Sequence, residues 1–212
     1  MQPKILVLGM PRMGTQSICD ALEELGFGRM YHMREVPPNE HWSKWVVLLD
    51  KKFKTKEPIQ KQELDALLGS YGGLADFPAS IFAEELIELY PDAMIILNSR
   101  DDESWVKSMN KTLWGSQAKI IAGAEDSNVK SSELRGRYHW YCWANDFPQY
   151  GLQYWHDYQR KVKDAAKGRP VLNYCSTTDG WQPLCNYLAL MFQDLVNFIA
   201  LFTSEVFLVT SK

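Results

Sequence analysis

The chain has no surplus of positive charge: 23 Lys and Arg stand against 26 Asp and Glu, for a formal net charge of −3. A general nucleic-acid binder normally carries a basic face, so that class is set aside. The one dense basic run, KKFKTK at 51–56, reads as a solvated helix end or loop. Cysteine is scarce as well. Cys19, Cys142, Cys175 and Cys185 form neither a CxxC nor a His-paired zinc spacing, and four thiols in 212 residues are too few for a disulfide scaffold. A reducing, cytoplasmic setting is the expectation.

Long uninterrupted hydrophobic runs are also missing. In the opening MQPKILVLGMPR the apolar run breaks after about five residues at a glycine turn, the pattern of a core strand and not of a signal peptide. The tail from Tyr187 to Val209 is apolar, but Asp194 and Glu205 interrupt it. Its uncharged runs stay below the roughly 18–20 residues of a membrane span. It reads as a core-packed or interfacial helix in preference to a transmembrane one, and membrane association through it is not favoured. There is no internal repeat and no low-complexity segment.

What is present is an alternation of short apolar runs with helical patterns. Lys4–Leu8 reads as a buried strand, and Ile18, Leu22 and Leu25 recur on one helical face until Gly26–Phe27–Gly28. A Trp- and Leu-rich helix is expected over 40–53, a strand at Tyr71–Asp76, and a helix over 80–90 stopped by Pro91. AMIILN, Ala93–Asn98, is the strongest strand signal, with a helix starting at Ser104. A further helix is expected over Gly151–Lys167, a strand at Pro170–Tyr174 and a helix over Gly180–Leu190. Strands separated by helices along the whole chain imply an α/β fold, a three-layer domain with a mostly parallel central sheet. Residues 1–212 read as one domain, with a helical cap at about 111–147 and the apolar helix at about 187–209.

The first strand-to-helix turn runs Gly9-Met-Pro-Arg-Met-Gly14-Thr15-Gln16-Ser17. A glycine-bounded loop of this length can wrap a phosphate with backbone N–H groups, while the next helix aims its positive end at the same anion. It has the G-x-x-x-x-G frame of a Walker A loop but not the Lys and Ser/Thr that follow; Thr15 and Gln16 stand there. The cation lies inside the loop instead, at Arg12. With Pro11-Arg12-Met13-Gly14-Thr15-Gln16-Ser17, the loop resembles the 5′-phosphosulfate loop of sulfotransferases that use 3′-phosphoadenosine-5′-phosphosulfate (PAPS).

A second motif agrees with the first. Arg100 closes the AMIILNSR strand, and Ser108 follows eight residues later inside the next helix. A strand end can present a guanidinium for bidentate contact with a phosphate, and a helix can bring a hydroxyl to the same group. The plainer alternative pairs Arg100 with Asp101 or Asp102 and leaves Ser108 in solvent. In PAPS-dependent sulfotransferases an Arg and a Ser so placed hold the 3′-phosphate. Tyr31–Glu35, Asp76-Phe77-Pro78, YPDAMIILNSRDDESWVKS and Asp179–Cys185 extend the likeness. From about residue 3 to 188 the chain resembles the small sulfotransferase-like P-loop family common in fungi and other eukaryotes. It has no R-K-G-x-x-G segment, which helps hold the 3′-phosphate in the cytosolic enzymes of that superfamily.

The resemblance implies transfer of a sulfuryl group from PAPS to a hydroxyl or amine, with no metal required. Arg12 and the N–H groups of Gly14–Gln16 would stabilise the bridging and leaving oxygens, with Arg100 and Ser108 on the 3′-phosphate. For the general base three residues are open: Asp76, Glu35 and His32. Asp76 sits at the strand end where open α/β sheets bind ligands. Each has a structural alternative: a helix cap, a surface carboxylate and a buried imidazole. His41, His139 and His156 read as structural. Trp114, Tyr138, Trp140, Tyr141 and Trp143 either wall an apolar or aromatic small-molecule acceptor or form the cap's own core. Two rival readings use the same loop: an ATP-binding P-loop protein or kinase, and a non-catalytic nucleotide-binding scaffold.

Overall fold

The computed structural model describes residues 2–124 and 129–191. In chain order its elements are strand β1 (Ile5–Val7), helix α1 (Thr15–Glu24), β2 (Met30–Tyr31), α2 (Trp42–Asp50), α3 (Lys61–Leu68), β3 (Gly73–Leu74), α4 (Ala83–Leu89), β4 (Met94–Asn98), α5 (Asp102–Lys111), α6 (Leu113–Ile121), α7 (Val129–Trp143), α8 (Phe147–Ala165), β5 (Val171–Tyr174) and α9 (Trp181–Met191). The strands form one sheet in the order β2-β3-β1-β4-β5. Every pair is parallel, with Ile5 opposite Gly73 on one side and Met94 on the other, and Ile95 opposite Val171.

Three layers follow from the period of two along the buried strands. Ile5, Val7, Met94 and Ile96 face one side and pack with Ile18 and Leu22 of α1 and Leu184 and Leu188 of α9. Leu6, Leu8, Ile95 and Leu97 face the other and join a larger cluster containing Trp45, Leu86, Trp105 and Trp155. β1 and β4 are fully buried along their length, as expected of central strands covered on both faces. The fold is therefore the three-layer α/β arrangement that the alternation of strands and helices implied.

Several boundaries differ from the sequence expectation. The strand expected at Tyr71–Asp76 pairs only at Gly73–Leu74, and the backbone turns left-handed at Asp76, at φ 67°. β2 was not foreseen: two residues carry no periodicity. The helix expected from Gly151 starts at Phe147, where the Asp146 side chain accepts from the Gln149 amide at 3.2 Å. The KKFKTK run is not simply solvated. It forms a π-helical turn after α2, in which Lys51 pairs with Glu63 at 2.7 Å and Lys52 with Glu85 at 2.6 Å.

α6 and α7 occupy the region expected as a cap, and α7 packs along α2. The tail expected as a helix over 187–209 lies outside the described residues from 192 onward. Among the described residues no helix is long and apolar enough to cross a membrane.

Candidate functional site

The site lies at the C-terminal edge of the sheet, where the ends of β1, β3, β4 and β5 converge. The β1–α1 loop is held open by side chains from elsewhere. Asn98 at the end of β4 donates through Nδ2 to the Met13 carbonyl at 2.9 Å, and Trp105 of α5 donates through Nε1 to the Pro11 carbonyl at 2.9 Å. Both donors are buried, so the loop carbonyls are turned inward and satisfied. Arg12 and Gly14 adopt left-handed backbone, at φ 72° and 78°. Gly14 suits this position on two counts: the left-handed backbone favours glycine, and a Cβ there would come within 2.1 Å of the Ser176 hydroxyl, beyond β5, which would have to turn away.

Arg12 is exposed, and its Nε donates to Ser108 Oγ at 3.2 Å. Arg100 Nη1 lies 3.4 Å from the Arg12 carbonyl. The two separate motifs thus meet. Among the described residues neither arginine forms an ion pair, and Asp101 instead caps α5 by accepting from the Ser104 amide at 2.9 Å. The pairing of Arg100 with Asp101 or Asp102 is therefore not what the structure contains. Asp102 faces His156 at 2.8 Å.

Across the loop from these cations stands a second group. Asp76 is buried and lines a cleft of about 780 Å³ with Arg12, Gly14, Thr15, Gln16 and His32. Its Oδ2 lies 3.1 Å from His32 Nε2, which is also 3.0 Å from Thr15 Oγ1. The Arg34 amide donates to His32 Nδ1 at 3.3 Å. That contact assigns the ring proton to Nε2, where Asp76 and Thr15 share it.

Burial pushes the Asp76 carboxyl up to about 7, against the opposing pull of the Phe77 amide and the Arg12 charge. Burial, with help from the Arg34 charge, pushes His32 down to about 4. The two shifts together keep the imidazole neutral and let it donate to a carboxylate only as the pH rises through about 7, so the pair is not an ion pair. Asp76 Oδ1 makes no hydrogen bond.

Other sequence candidates fall elsewhere. Glu35 is not part of the cleft wall; its carboxylate is taken by Arg29 and by the Tyr71 hydroxyl at 2.9 Å. Those two partners hold it as a buried anchor of the turn after β2, away from the cleft. Met13 turns its side chain into the core, leaving only its backbone at the loop, and Ser17 lies on the exposed face of α1. Of the five cap aromatics only Tyr138 reaches the cleft. Trp143 is buried among Tyr138, Phe147 and Tyr154, and Tyr141 stacks on Phe53; Trp140 is exposed.

Sequence reasoning missed Asn98, Trp105, Ser176 and Arg135 as parts of the site. Only Asn98 offered a signal, as the one polar residue closing an otherwise apolar strand.

An all-parallel sheet between helical layers, with Arg12 of the first loop and Arg100 after β4 meeting at its C-terminal edge, defines an α/β domain of the open-sheet class. Residues 4–198 match the sulfotransferase domain family, and the chain belongs to that family. It is also 33% identical, over 201 residues, to Ava biosynthesis cluster protein M of Aspergillus versicolor, a match that spans 87% of this chain and 75% of that protein.

Proposed function

We propose that the protein is a PAPS-dependent sulfotransferase acting on the hydroxyl or amine of a small molecule. The observation that carries this reading is the meeting of Arg12, Ser108 and Arg100 in one unpaired cationic cluster beside the β1–α1 loop. The donor set fits PAPS: guanidiniums without carboxylate partners among the described residues, a hydroxyl against one of them, and backbone N–H groups at the start of α1. The cleft volume is within the ~300–1,000 Å³ usual for small-molecule sites. Thr15, in the position of the Walker lysine, is buried against His32 and carries no charge, which disfavours the ATP reading.

PAPS, when bound, supplies the activated sulfuryl group and a bisphosphate leaving group. Arg100 and Ser108 hold the 3′-phosphate. Arg12, with the amides of Gly14, Thr15 and Gln16, neutralises charge on the oxygens nearest the reaction. Asp76 accepts the acceptor's proton, and His32 orients its carboxylate through Oδ2, leaving Oδ1 without another partner. The test is release of adenosine 3′,5′-bisphosphate from PAPS across a panel of phenols, alcohols and amines. Turnover that falls at least 100-fold in Asp76→Asn supports the assignment, and turnover unchanged in Asp76→Asn and Arg12→Ala overturns it.

A further inference from the structure

The cap side of the cleft contains polar groups for which the proposed donor chemistry gives no use. Arg135 and Tyr138 lie one turn apart on α7 and both line the cleft. Arg135 has no carboxylate partner among the described residues; its one hydrogen bond runs from Nη1 to Ser116 Oγ at 3.4 Å. Its Nε is buried and makes no hydrogen bond, and neither does the hydroxyl of Tyr138, a side chain only 2% exposed. A buried donor left unpaired loses its water without regaining a partner, and two on one wall of one cleft are the mark of an absent acceptor atom.

Beside Ser131, the wall around them is built from apolar side chains. The Tyr138 ring packs on Phe77 at 4.5 Å between centroids, and Phe77 adjoins Asp76. Met33, Pro37 and Leu113 complete this side. The cation is therefore set in a wall of apolar side chains and hydroxyls with no carboxylate of its own among the described residues, on the cleft that also holds the carboxylate the proposed reaction uses as base.

We infer that the acceptor is an apolar, aromatic-sized hydroxy or amino acid in the broad sense, whose carboxylate is gripped by Arg135 and Tyr138 while its nucleophile faces Asp76. This rests on the proposed sulfuryl transfer, and it narrows the acceptor to an anionic class. A carboxylate has the lone pairs to accept from a guanidinium and a phenol together. A neutral acceptor of the same shape would leave the Arg135 charge without a counter-ion in an apolar wall. Burial keeps the Tyr138 phenol protonated, so it remains a donor at any ordinary pH.

The experiment uses the full chain saturated with adenosine 3′,5′-bisphosphate, titrated calorimetrically with benzoate, phenylacetate and 3-phenylpropionate and with the matching primary amides. The expected result is at least a tenfold preference for one or more acids over their amides. Arg135→Leu should abolish the preference, Arg135→Lys should retain part of it, and Tyr138→Phe should weaken it severalfold. Affinity for the bisphosphate itself should not change in Arg135→Leu. Equal binding of acids and amides, or no binding of any acid, overturns the inference. So does loss of bisphosphate affinity in Arg135→Leu, which would assign Arg135 to the nucleotide. Failure of the wild-type chain to bind the bisphosphate would instead strike at the proposed reaction.

Discussion

Arg12 Nε reaches Ser108 Oγ at 3.2 Å across 96 residues of sequence, which ties the β1–α1 loop to the α5 helix. The contact depends on a left-handed backbone at Arg12, φ 72°, an unfavourable conformation for any residue with a Cβ. Strain of this kind, held by the Asn98 and Trp105 hydrogen bonds to the flanking carbonyls, is placed where the ligand would be gripped.

Arg12→Gly should therefore separate stability from binding. Glycine relieves about 1–2 kcal/mol of backbone strain and costs about 0.5–1 kcal/mol in chain entropy, so the variant should be at least as stable in urea denaturation. Its affinity for adenosine 3′,5′-bisphosphate should fall roughly 10- to 100-fold, the value of one lost charged hydrogen bond. A large loss of stability with affinity intact would contradict the placement of Arg12.

Asn98→Ala tests the support behind the loop. It removes the buried donor to the Met13 carbonyl, so stability should fall by about 1–3 kcal/mol and nucleotide affinity should fall with it. A variant that melts lower but binds normally would show that Asn98 serves the core alone.

Asp76 ties stability to activity in opposite senses. Its carboxyl is raised from 3.8 to about 7, so the folded state favours the protonated form. The stability this gives is full below about pH 4 and is lost as the pH rises through about 7. Asp76→Asn mimics the protonated form. At pH 8 it should be more stable than the wild type by up to roughly 4 kcal/mol, with the difference vanishing near pH 4. Denaturation at the two pH values measures this, and equal stability at pH 8 would show that Asp76 is not penalised by burial.

The pH profile carries the partner prediction. Activity should rise with pH through about 7 as Asp76 ionises, with no second step from His32, whose pKa near 4 leaves it neutral throughout. His32 is a positioning residue. His32→Phe removes the Nε2 donor to Asp76 Oδ2, so the midpoint of the profile should move upward, and His32→Gln should restore part of the shift. An unmoved midpoint would leave His32 as packing only.

The sheet was legible wherever strands are long and buried on both faces. AMIILN and KILVL announced β4 and β1 because central parallel strands read as continuous apolar runs. β2 was invisible, since a two-residue strand is defined by its neighbour and not by its own pattern. That the β1–α1 loop lies beside Arg100 and Ser108 was readable because spacing along the chain puts both at neighbouring strand ends. That Glu35 lies outside the cleft was not readable, since its partners Arg29 and Tyr71 come from separate segments that only the fold brings together. Arg135 was missed for a similar reason: the direction in which α7 faces is set by its packing on α2, and the helix has apolar residues on all sides.

The central claim is that Arg12, Arg100 and Ser108 together hold a 3′-phosphorylated nucleotide. Calorimetric titration of the wild type and Arg100→Ala with adenosine 3′,5′-bisphosphate and with AMP tests it most directly, because the two ligands differ only in the 3′-phosphate. The account predicts at least tenfold tighter binding of the bisphosphate by the wild type and near-equal binding of the two by Arg100→Ala. Equal affinities in the wild type would contradict it.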